Sequence, residues 1–525
     1  MRLIIVAYLI MLALCSMANT ALAQHIFQYS YGQESVDEVA FRITNENDST
    51  FVIAGEMTNS YGRQHLLMKV NDKGEKLWSK YYHRKGDNST STLLKLQNGN
   101  FLVNSISCRD SNCTSWVSYF LEINTNGDLV KSFLFDDSVN FIFPKLQMSN
   151  GDLVFSGGQI SSFPSYQNPI ILKTDSLYNT IWCKVYTFPN TTSLYSAVEL
   201  DNKQLLIAGY GHQNTLNTQQ GTVVNIDSIG NILLAKQIDS INFTSIFKTS
   251  SNDFYLGACS ILGGANSGAQ LVVKYDSGLN MLWAKQIIGA GSTCLGEMHR
   301  DQLGAIWGVR NIGITKIDSN GNFVSDSKMY LNPGFFSIFG GSTDFTFTSD
   351  KGILMVSSII NNTNYPKANI ILTKADSTMN RCETQNYTFP SYQVFPTMQT
   401  ILPLTSTKQA NLIPVTEFIQ DTIYMPKVID CDLNTGFQDF LTDDYSVSLY
   451  PNPFIDLVNL KLASINEINK YEISIINITT NKIEYNSQLN VNDVTLNLIQ
   501  LNPGIYILQI NGINRLNKHL KIIKQ

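Results

Sequence analysis

The chain has 525 residues, of which 43% are hydrophobic, 11% aromatic and 15% charged. This composition excludes a disordered or linker-dominated polymer, and the formal net charge of −5 gives no basic footprint for nucleic acid or an anionic membrane. Catalysis finds little support, because the sequence holds no HExxH motif, no GxSxG elbow and no P-loop.

The first 23 residues have the pattern of a secretory signal peptide. Arg2 gives the positive end, residues 3–14 form an apolar run, and Ala21-Leu22-Ala23 is a small-residue cleavage site before Gln24. The apolar run is shorter than the roughly 20 residues that span a bilayer, and no later stretch reaches that length. We therefore expect signal peptidase to remove residues 1–23 and the mature chain to be exported without a transmembrane segment.

Residues 24–390 contain a repeated pattern, approximately Lys-x-Asp-Ser-x-Gly-Asn-x-x-Trp, at intervals of roughly 50 residues. Its seven whole or partial copies have their third position at Asn71, Asn124, Asp175, Asp227, Asp276, Asp318 and Asp376. A polar turn followed by an apolar strand, often ending in glycine, alternates with these copies, as in NGDLVFSG from Asn150 and NKQLLIAG from Asn202. Each unit is therefore expected to form about four short strands joined by tight turns.

Four-stranded units of this period, with many strands apolar on both faces, are typical of a β-propeller. The pattern predicts an all-β fold with a β-propeller of about seven blades over residues 24–390. Residues 26–32 resemble the strand after each repeat turn, so this strand is expected to complete the last blade and close the ring. Tandem sandwiches need about 100 residues per repeat and solenoid coils are usually shorter, so both fit less well.

The repeated aspartates and tryptophans have structural explanations. Asp and Asn in tight turns hydrogen-bond their own backbone, and these segments lack the dense oxygen ligands of a calcium loop. We therefore expect turn residues rather than a cation site, and the sequence indicates no metal and no cofactor. Trp78, Trp182 and Trp283 are expected to pack between blades rather than to stack on sugars or bases.

Seven cysteines remain after the signal peptide, an odd number for an oxidising compartment. Cys108 and Cys113 are close enough in sequence to form a disulfide that closes a hairpin loop. The other five have irregular spacing and lie mostly in apolar runs, so we expect buried free thiols rather than metal ligands. They are Cys183, Cys259, Cys294, Cys382 and Cys431.

Residues 391–444 differ from the repeats. They carry two lysines against seven acidic residues, while their first half is rich in apolar side chains. We expect a partly ordered extension that packs against the last blade and runs into a flexible acidic linker around residues 432–444.

Residues 445–525 carry a further set of motifs. Tyr450-Pro451-Asn452-Pro453 precedes several short strands, Leu501-Asn502-Pro503-Gly504-Ile505-Tyr506 follows them, and Lys521 lies in a basic terminal strand. The alternation and the turn residues favour a small β-sandwich. The order of these motifs resembles the type A C-terminal sorting domain of the type IX secretion system of Gram-negative bacteria. A carbohydrate-binding or immunoglobulin-like module is the alternative.

The resemblance implies recognition by the type IX machinery at the outer membrane, followed by release or attachment at the cell surface. It also implies that Tyr450, Pro451, Asn452, Pro453, Gly504, Tyr506 and Lys521 serve recognition and folding of the sorting signal. Three triplets resemble the O-glycosylation motif of such bacteria: Asp175-Ser176-Leu177, Asp227-Ser228-Ile229 and Asp421-Thr422-Ile423.

Two function classes remain for the propeller. The absence of catalytic motifs favours a binding module for a glycan, polymer or protein, and catalytic residues are not identified. The alternative is a secreted carbohydrate-active hydrolase with carboxylates at the central channel, because propellers host both classes. Two or three carboxylates converging on one sugar-sized cleft would favour the hydrolase.

Overall fold

The strands come from a computed structural model, which describes only part of the chain. The described residues are 25–33, 35–60, 62–84, 88–108, 116–136, 140–159, 168–188, 191–213, 218–249, 253–260, 269–287, 295–302, 304–310, 313–328, 335–336, 344–361, 367–376, 386–387, 391–393, 398–401, 403–434, 445–450, 454–464, 471–477, 482–489, 493–512 and 517–524. The predicted signal peptide and residues 435–444 of the predicted linker lie outside them. The chain divides into two units, one of residues 26–432 and one containing the C-terminal residues from 433.

Residues 26–432 form seven antiparallel sheets in the described part of the chain, and most strands of each sheet follow one another in the chain. After β1 (His25–Tyr31), sheet 1 contains β2 (Asp37–Asn45), β3 (Thr50–Asn59), β4 (Gly62–Asn71) and β5 (Lys76–His83). Sheet 2 contains β6 (Asn88–Lys95), β7 (Phe101–Cys108), β8 (Trp116–Ile123) and β9 (Leu129–Phe135). Sheet 3 contains β10 (Asn140–Gln147), β11 (Leu153–Gln159), β12 (Pro169–Thr174) and β13 (Thr180–Thr187).

The remaining four sheets follow the same order. Sheet 4 contains β14 (Thr191–Glu199), β15 (Leu205–Gln213), β16 (Thr218–Ile226) and β17 (Ile232–Asp239). Sheet 5 contains β18 (Ile241–Lys248), β19 (Phe254–Ser260), β20 (Ala269–Tyr275) and β21 (Met281–Ile287). Sheet 6 contains β22 (Met298–Arg300), β23 (Ile306–Arg310), β24 (Gly313–Ile317) and β25 (Phe323–Lys328). Sheet 7 contains β26 (Phe335–Phe336), β27 (Asp344–Phe347), β28 (Ile353–Asn361), β29 (Ala368–Ala375) and β1.

The N-terminal strand completes sheet 7. β1 pairs antiparallel with β29, with Phe27 opposite Lys374 and Tyr31 opposite Ile370. One buried apolar cluster lies between each sheet and the next, and a further one joins sheet 7 to sheet 1. This arrangement closes a ring, as the sequence of residues 26–32 predicts, and confirms the all-β, propeller-like fold.

The repeated aspartates make turns. Asp227 Oδ1 accepts hydrogen bonds from the backbone N–H groups of Ile229 (3.0 Å) and Asn231 (2.7 Å). Asp175, Asp276 and Asp318 make the same pair of contacts two and four residues on. The carboxylates therefore stabilise the hairpin between the third and fourth strands of a sheet, as predicted.

The recurrent tryptophans pack between sheets, which confirms their predicted role. Trp182 of sheet 3 donates from Nε1 to the Ser228 carbonyl at 3.0 Å and lies against Gly230 in the repeat turn of sheet 4. Trp78 lies in the same way against Gly127 of sheet 2. The repeat turns of sheets 2 and 4 thus each receive a tryptophan from the sheet before.

The extension differs from its prediction, because its strands pair with all seven sheets rather than packing on the last blade. We call this segment, residues 386–434, the belt. Its strands are β30 (Asn386–Tyr387), β31 (Ser391–Gln393), β32 (Met398–Ile401), β33 (Leu404–Thr407), β34 (Leu412–Pro414), β35 (Ile419–Thr422) and β36 (Lys427–Asn434). They join sheets 6, 5, 4, 3, 2, 1 and 7 in turn.

The belt uses a regular contact. The backbone N–H of Lys408 donates to Cys183 O at 2.9 Å, that of Val415 to Ser132 O at 2.9 Å, and that of Ile423 to Ser79 O at 3.1 Å. The three acceptors lie at equivalent places in the fourth strands of sheets 3, 2 and 1. Because an unpaired edge strand is prone to aggregation, the belt protects the outer edge of each sheet.

The C-terminal unit contains two sheets. One has β37 (Tyr445–Tyr450), β38 (Leu457–Ser464) and β41 (Asp493–Asn497); the other has β39 (Tyr471–Asn477), β40 (Ile483–Leu489), β42 (Gly504–Gly512) and β43 (Asn517–Lys524). Side chains of both sheets, such as Leu460 and Leu508, share one buried core. The predicted β-sandwich is confirmed.

One cysteine prediction is wrong. Cys259 in β19 was expected to be a free thiol, but it is disulfide-bonded. Its spacing from other cysteines could not reveal this, because sheet pairing brings distant positions together. Cys183 is buried, as expected. The proposed Cys108–Cys113 disulfide lies outside the described residues, since Cys113 and the Cys108 side chain are not described.

Candidate functional site: the ring cavity

A cavity of about 510 Å³ is lined by the first strands of sheets 1 to 6 and by β27 of sheet 7. We call it the ring cavity. Its lining residues come mainly from β2, β6, β10, β14, β18, β22 and β27: Arg42, Ile43, Thr44, Thr92, Leu93, Leu94, Phe143, Pro144, Lys145, Tyr195, Ser196, Ala197, Tyr210, Thr244, Glu297, His299 and Asp344. Ligand pockets for small molecules are typically about 300 to 1,000 Å³, so the size suits a ligand of a few sugar rings.

A break in strand register shapes the wall of this cavity. In β10 the pairing with β11 skips Lys145, in β14 the pairing with β15 skips Tyr195, and in β18 the pairing with β19 skips Thr244. β2 and β6 have irregularities at the corresponding level. A β-bulge re-aims a side chain and is frequent beside functional sites. All three skipped residues line the ring cavity.

Glycines on the second strands allow this bulged backbone to come close. A Cβ atom at Gly55 would lie 1.9 Å from the Val39 carbonyl oxygen, and one at Gly209 would lie 1.8 Å from that of Ser193. Both glycines end the apolar strand that recurs in the repeats. This recurrent glycine is the sequence signal that marks the cavity wall, although the sequence analysis assigned it no function.

Aromatic side chains give the cavity an apolar face. Tyr195 and Tyr210 stack with ring centroids 5.0 Å apart, and the Tyr195 side chain is 42% exposed. Phe143 lies below the Lys145 ammonium, which is 5.1 Å from the ring centroid. Exposed aromatic rings beside polar groups can hold the apolar face of a sugar while the polar groups bind its substituents.

The cationic groups of the cavity lie close enough to repel one another. Lys145 is half-buried, and burial followed by repulsion from Arg42 lowers the pKa of its ammonium to about 7, against a smaller opposing effect of Glu297. Arg42 donates from Nη1 to the carbonyl of Phe41 at 3.1 Å. The cavity wall therefore holds two neighbouring basic groups beside its two carboxylates, Glu297 and Asp344.

The two carboxylates of the described cavity wall differ in availability. Glu297 is exposed to the cavity, whereas Asp344 is only 3% exposed. Asp344 Oδ2 accepts the Ile43 N–H at 2.9 Å and its Oδ1 accepts the Phe345 N–H at 2.9 Å. Burial raises the pKa of Asp344, and Arg42 opposes that rise. Asp344 thus links sheet 7 to sheet 1, and Glu297 alone is placed to meet a ligand.

Two of the predicted motif residues of the C-terminal unit lie at the ends of its strands, and two lie within them. Tyr450 ends β37 and Gly504 begins β42; Lys521 lies in β43 opposite Ile507. Tyr506 is buried, and its hydroxyl donates to the Asn502 carbonyl at 2.7 Å. Pro451, Asn452 and Pro453 lie outside the described residues. The recognition role of these seven residues stays a prediction.

Lys524 belongs to the basic terminal strand, from which the sequence analysis selected only Lys521 as a motif residue. The Lys524 ammonium lies 2.9 Å from Asp456 Oδ1, also donates to the Ile455 carbonyl, and lies 5.6 Å from the centroid of the Phe454 ring. The lysine side chain is only 5% exposed. This contact anchors the last strand to the segment that follows Pro453.

Within the described ranges, no group of three or more His, Cys, Asp or Glu side chains could hold a metal ion. No helix in that part of the chain is long and apolar enough to cross a membrane.

The ring of sheets defines an all-β, propeller-like protein. Residues 448–525 match the family described as "Secretion system C-terminal sorting domain". The C-terminal part of the chain is therefore a type IX sorting domain, and the protein is one that is secreted to the cell surface or the extracellular space. Through this domain the protein engages the type IX secretion machinery.

The solved structures that match the chain do so at low sequence identity. The α-L-arabinofuranosidase Arb93A of Fusarium graminearum with an iminosugar inhibitor has 11% identity and a TM-score of 0.36, covering 67% of this chain and 98% of its own. The β-propeller domain of the trilobed protease of Pyrococcus furiosus has 9% identity and a TM-score of 0.38, covering 68% and 97%. A protein of unknown function from Bacteroides caccae has 13% identity and a TM-score of 0.31, covering 49% and 93%. No curated protein matches the chain.

Proposed function

We propose that this exported protein is a glycan-binding module and that the ring cavity is its ligand site. The observation that carries the proposal is the bulge at Lys145, Tyr195 and Thr244, which directs three side chains from three different sheets into one cavity. Each bulge leaves one residue without a backbone partner in the neighbouring strand. A ligand site would explain why several sheets share this distortion.

The composition of the cavity wall supports a saccharide. The stacked Tyr195 and Tyr210 offer an aromatic face, while Arg42, Lys145, Glu297 and His299 offer polar contacts around it. An outer-surface position also gives the protein access to extracellular polysaccharides.

Binding is favoured over hydrolysis by the state of the carboxylates. Glycoside hydrolysis by most families needs two carboxyl groups that flank the scissile bond. In the described cavity wall, Asp344 has both oxygens bound to backbone N–H groups and is buried, which leaves Glu297 without a second accessible carboxyl group. The hydrolase remains the alternative that the experiment must address.

The test is a panel of neutral and acidic polysaccharides incubated with the full-length exported protein. Retention is scored by affinity electrophoresis, and turnover is scored by release of reducing ends from the same samples. We expect retention without turnover, and a Tyr195→Ala variant should lose retention. Release of reducing ends that disappears in Glu297→Gln would establish the hydrolase instead. Retention that Tyr195→Ala leaves unchanged would contradict the cavity as the site.

A further inference from the structure

The two cations of the ring cavity form no ion pair with a described carboxylate, unlike several lysines of the repeat motif. Lys69, Lys173 and Lys374, at the start of repeat copies, pair with Glu46 (2.7 Å), Asp152 (2.9 Å) and Asp350 (2.7 Å). Arg42 and Lys145 form no ion pair with any carboxylate of the described residues. The chain therefore pairs its structural lysines and leaves the cavity cations available.

The placement of these two cations points to an anion. Lys145 is aimed into the cavity by the bulge of β10, and Arg42 reaches the same cavity from β2. Like charges held this close repel each other, and an anionic group between them would relieve that repulsion. A guanidinium and an ammonium are also the groups that bind carboxylate and sulfate oxygens most strongly.

We propose, building on the glycan-binding function, that the ring cavity selects acidic saccharides, with Arg42 and Lys145 binding the anionic substituent and Tyr195 the sugar ring. The substituent is a carboxylate or a sulfate. A neutral sugar would displace water from both cations without bringing an anion to them, and only Glu297 and Asp344 of the described cavity wall would then oppose their charge, which disfavours its binding.

Proton linkage follows from this arrangement. An anion favours the protonated form of Lys145, whose pKa in the free protein is about 7, so binding takes up a proton above that pH. The described titratable groups that share the cavity wall with Lys145 are Arg42 on β2, Tyr195 on β14, Tyr210 on β15, Glu297 just before β22, His299 on β22, and Asp344 on β27. Affinity for an acidic saccharide should therefore be full below pH 7 and fall by up to about tenfold per pH unit above it.

The experiment measures the dissociation constants of full-length protein at pH 6 and pH 9 by isothermal titration. The probes are oligogalacturonate, which carries carboxylates, a sulfated galactan oligomer, a neutral galactan oligomer and polyglutamate. The variants are Arg42→Gln, Lys145→Met and Lys145→Arg, with Lys73→Met as the control, because Lys73 is an exposed turn residue outside the cavity. Tryptophan emission reports whether each variant is folded.

We expect oligogalacturonate or the sulfated oligomer to bind at pH 6, and Arg42→Gln and Lys145→Met to weaken that binding by about tenfold to a hundredfold. Lys73→Met should bind as the unaltered protein does. Lys145→Arg should keep its affinity at pH 9, because arginine stays protonated there. Retention of charge in this variant separates loss of the cation from loss of the fold.

Three results would overturn the proposal in different ways. Equal binding of the neutral galactan oligomer, unaffected by Arg42→Gln, would refute anion selection and leave the glycan-binding function standing. Equal binding of polyglutamate would refute selection for a saccharide. If none of the four probes binds, both the acidic-saccharide proposal and the glycan-binding function fail.

Discussion

Substituting Gly230 with alanine should weaken the contact between sheets 3 and 4. Gly230 has φ +82°, and a Cβ atom there would lie 3.0 Å from Lys184 Cδ and 3.1 Å from Trp182 Cε3. The lysine can move aside, but the Trp182 ring is held by its hydrogen bond to the Ser228 carbonyl. The substitution therefore adds a packing conflict to the strain of a left-handed backbone.

Gly99 provides the matched control. It has φ +86°, and a Cβ atom there would meet nothing within 4 Å. Gly99→Ala should lower the free energy of unfolding by about 1 kcal/mol, the typical cost of an L-residue in this conformation. Gly230→Ala should lower it by a further 1 to 2 kcal/mol or so, because overpacking of a tight contact adds to that strain.

Urea unfolding followed by tryptophan fluorescence measures this difference in the ring alone. All five tryptophans, at positions 78, 116, 182, 283 and 307, lie in the unit of residues 26–432. If Gly230→Ala and Gly99→Ala have the same free energy of unfolding, the stacking of tryptophan on the next repeat turn does not stabilise the ring.

Three further predictions concern a buried histidine, the terminal lysine and export. Burial lowers the pKa of His65 to about 3 in the folded chain, whereas the unfolded chain takes up the proton below about pH 6.5. The free energy of unfolding should thus fall by up to about 1.4 kcal/mol per pH unit from pH 6.5 to pH 5. The His65→Asn variant should lack this contribution, so its free energy of unfolding should depend less on pH. If urea titrations at pH 5, 6 and 7 give the variant and the unaltered protein the same pH dependence, the prediction is contradicted. Lys524→Met should destabilise the sorting domain by about 1 to 2 kcal/mol, because the contact with Asp456 is partly buried. Circular dichroism measures the unfolding transition. If its midpoint equals that of the control Lys461→Met, at an exposed lysine, the Lys524 contact does not stabilise the domain. Deletion of residues 445–525 should retain the protein in the periplasm, and undiminished appearance of the truncated chain outside the cell would show that the domain is dispensable for export.

The repeat turns and the ring could be predicted because their causes are local. Asp227 bonds to backbone groups two and four residues away, so its spacing in the sequence carries the information. The apolar strands between the turns determine the sheets. Residues 26–32 resemble the strand that follows each repeat turn, and this is the strand that the last repeat lacks. The sorting domain was recognisable for the same reason, since its motifs are contiguous.

The belt was missed because its partners are distant and its strands are short. Ile419 pairs with His83, and all four residues of β33 are exposed, so no alternation of buried and exposed positions is visible in the sequence. A strand that adds one edge to an existing sheet needs backbone pairing more than a buried side-chain face. The apolar residues of this region indicated packing but not its extent.

The cavity could not be predicted because its residues lie roughly one repeat apart and are aimed by bulges. Lys145 and Tyr195 have no common motif, and the skipped pairing that directs them inward is a property of the folded sheets. The recurrent glycine at Gly55 and Gly209 carried the only sequence signal that we can identify, since it permits the close backbone contact.

Hydrogen exchange of the full-length protein, with and without the saccharide that binds most tightly in the panel, tests the ring cavity as the ligand site most directly. Backbone amides of β2, β10 and β14 should exchange more slowly in the complex, while those of β33 and β35 in the belt should be unchanged. Protection confined to the belt or to the sorting domain, with none in the first strands of the sheets, would contradict the account.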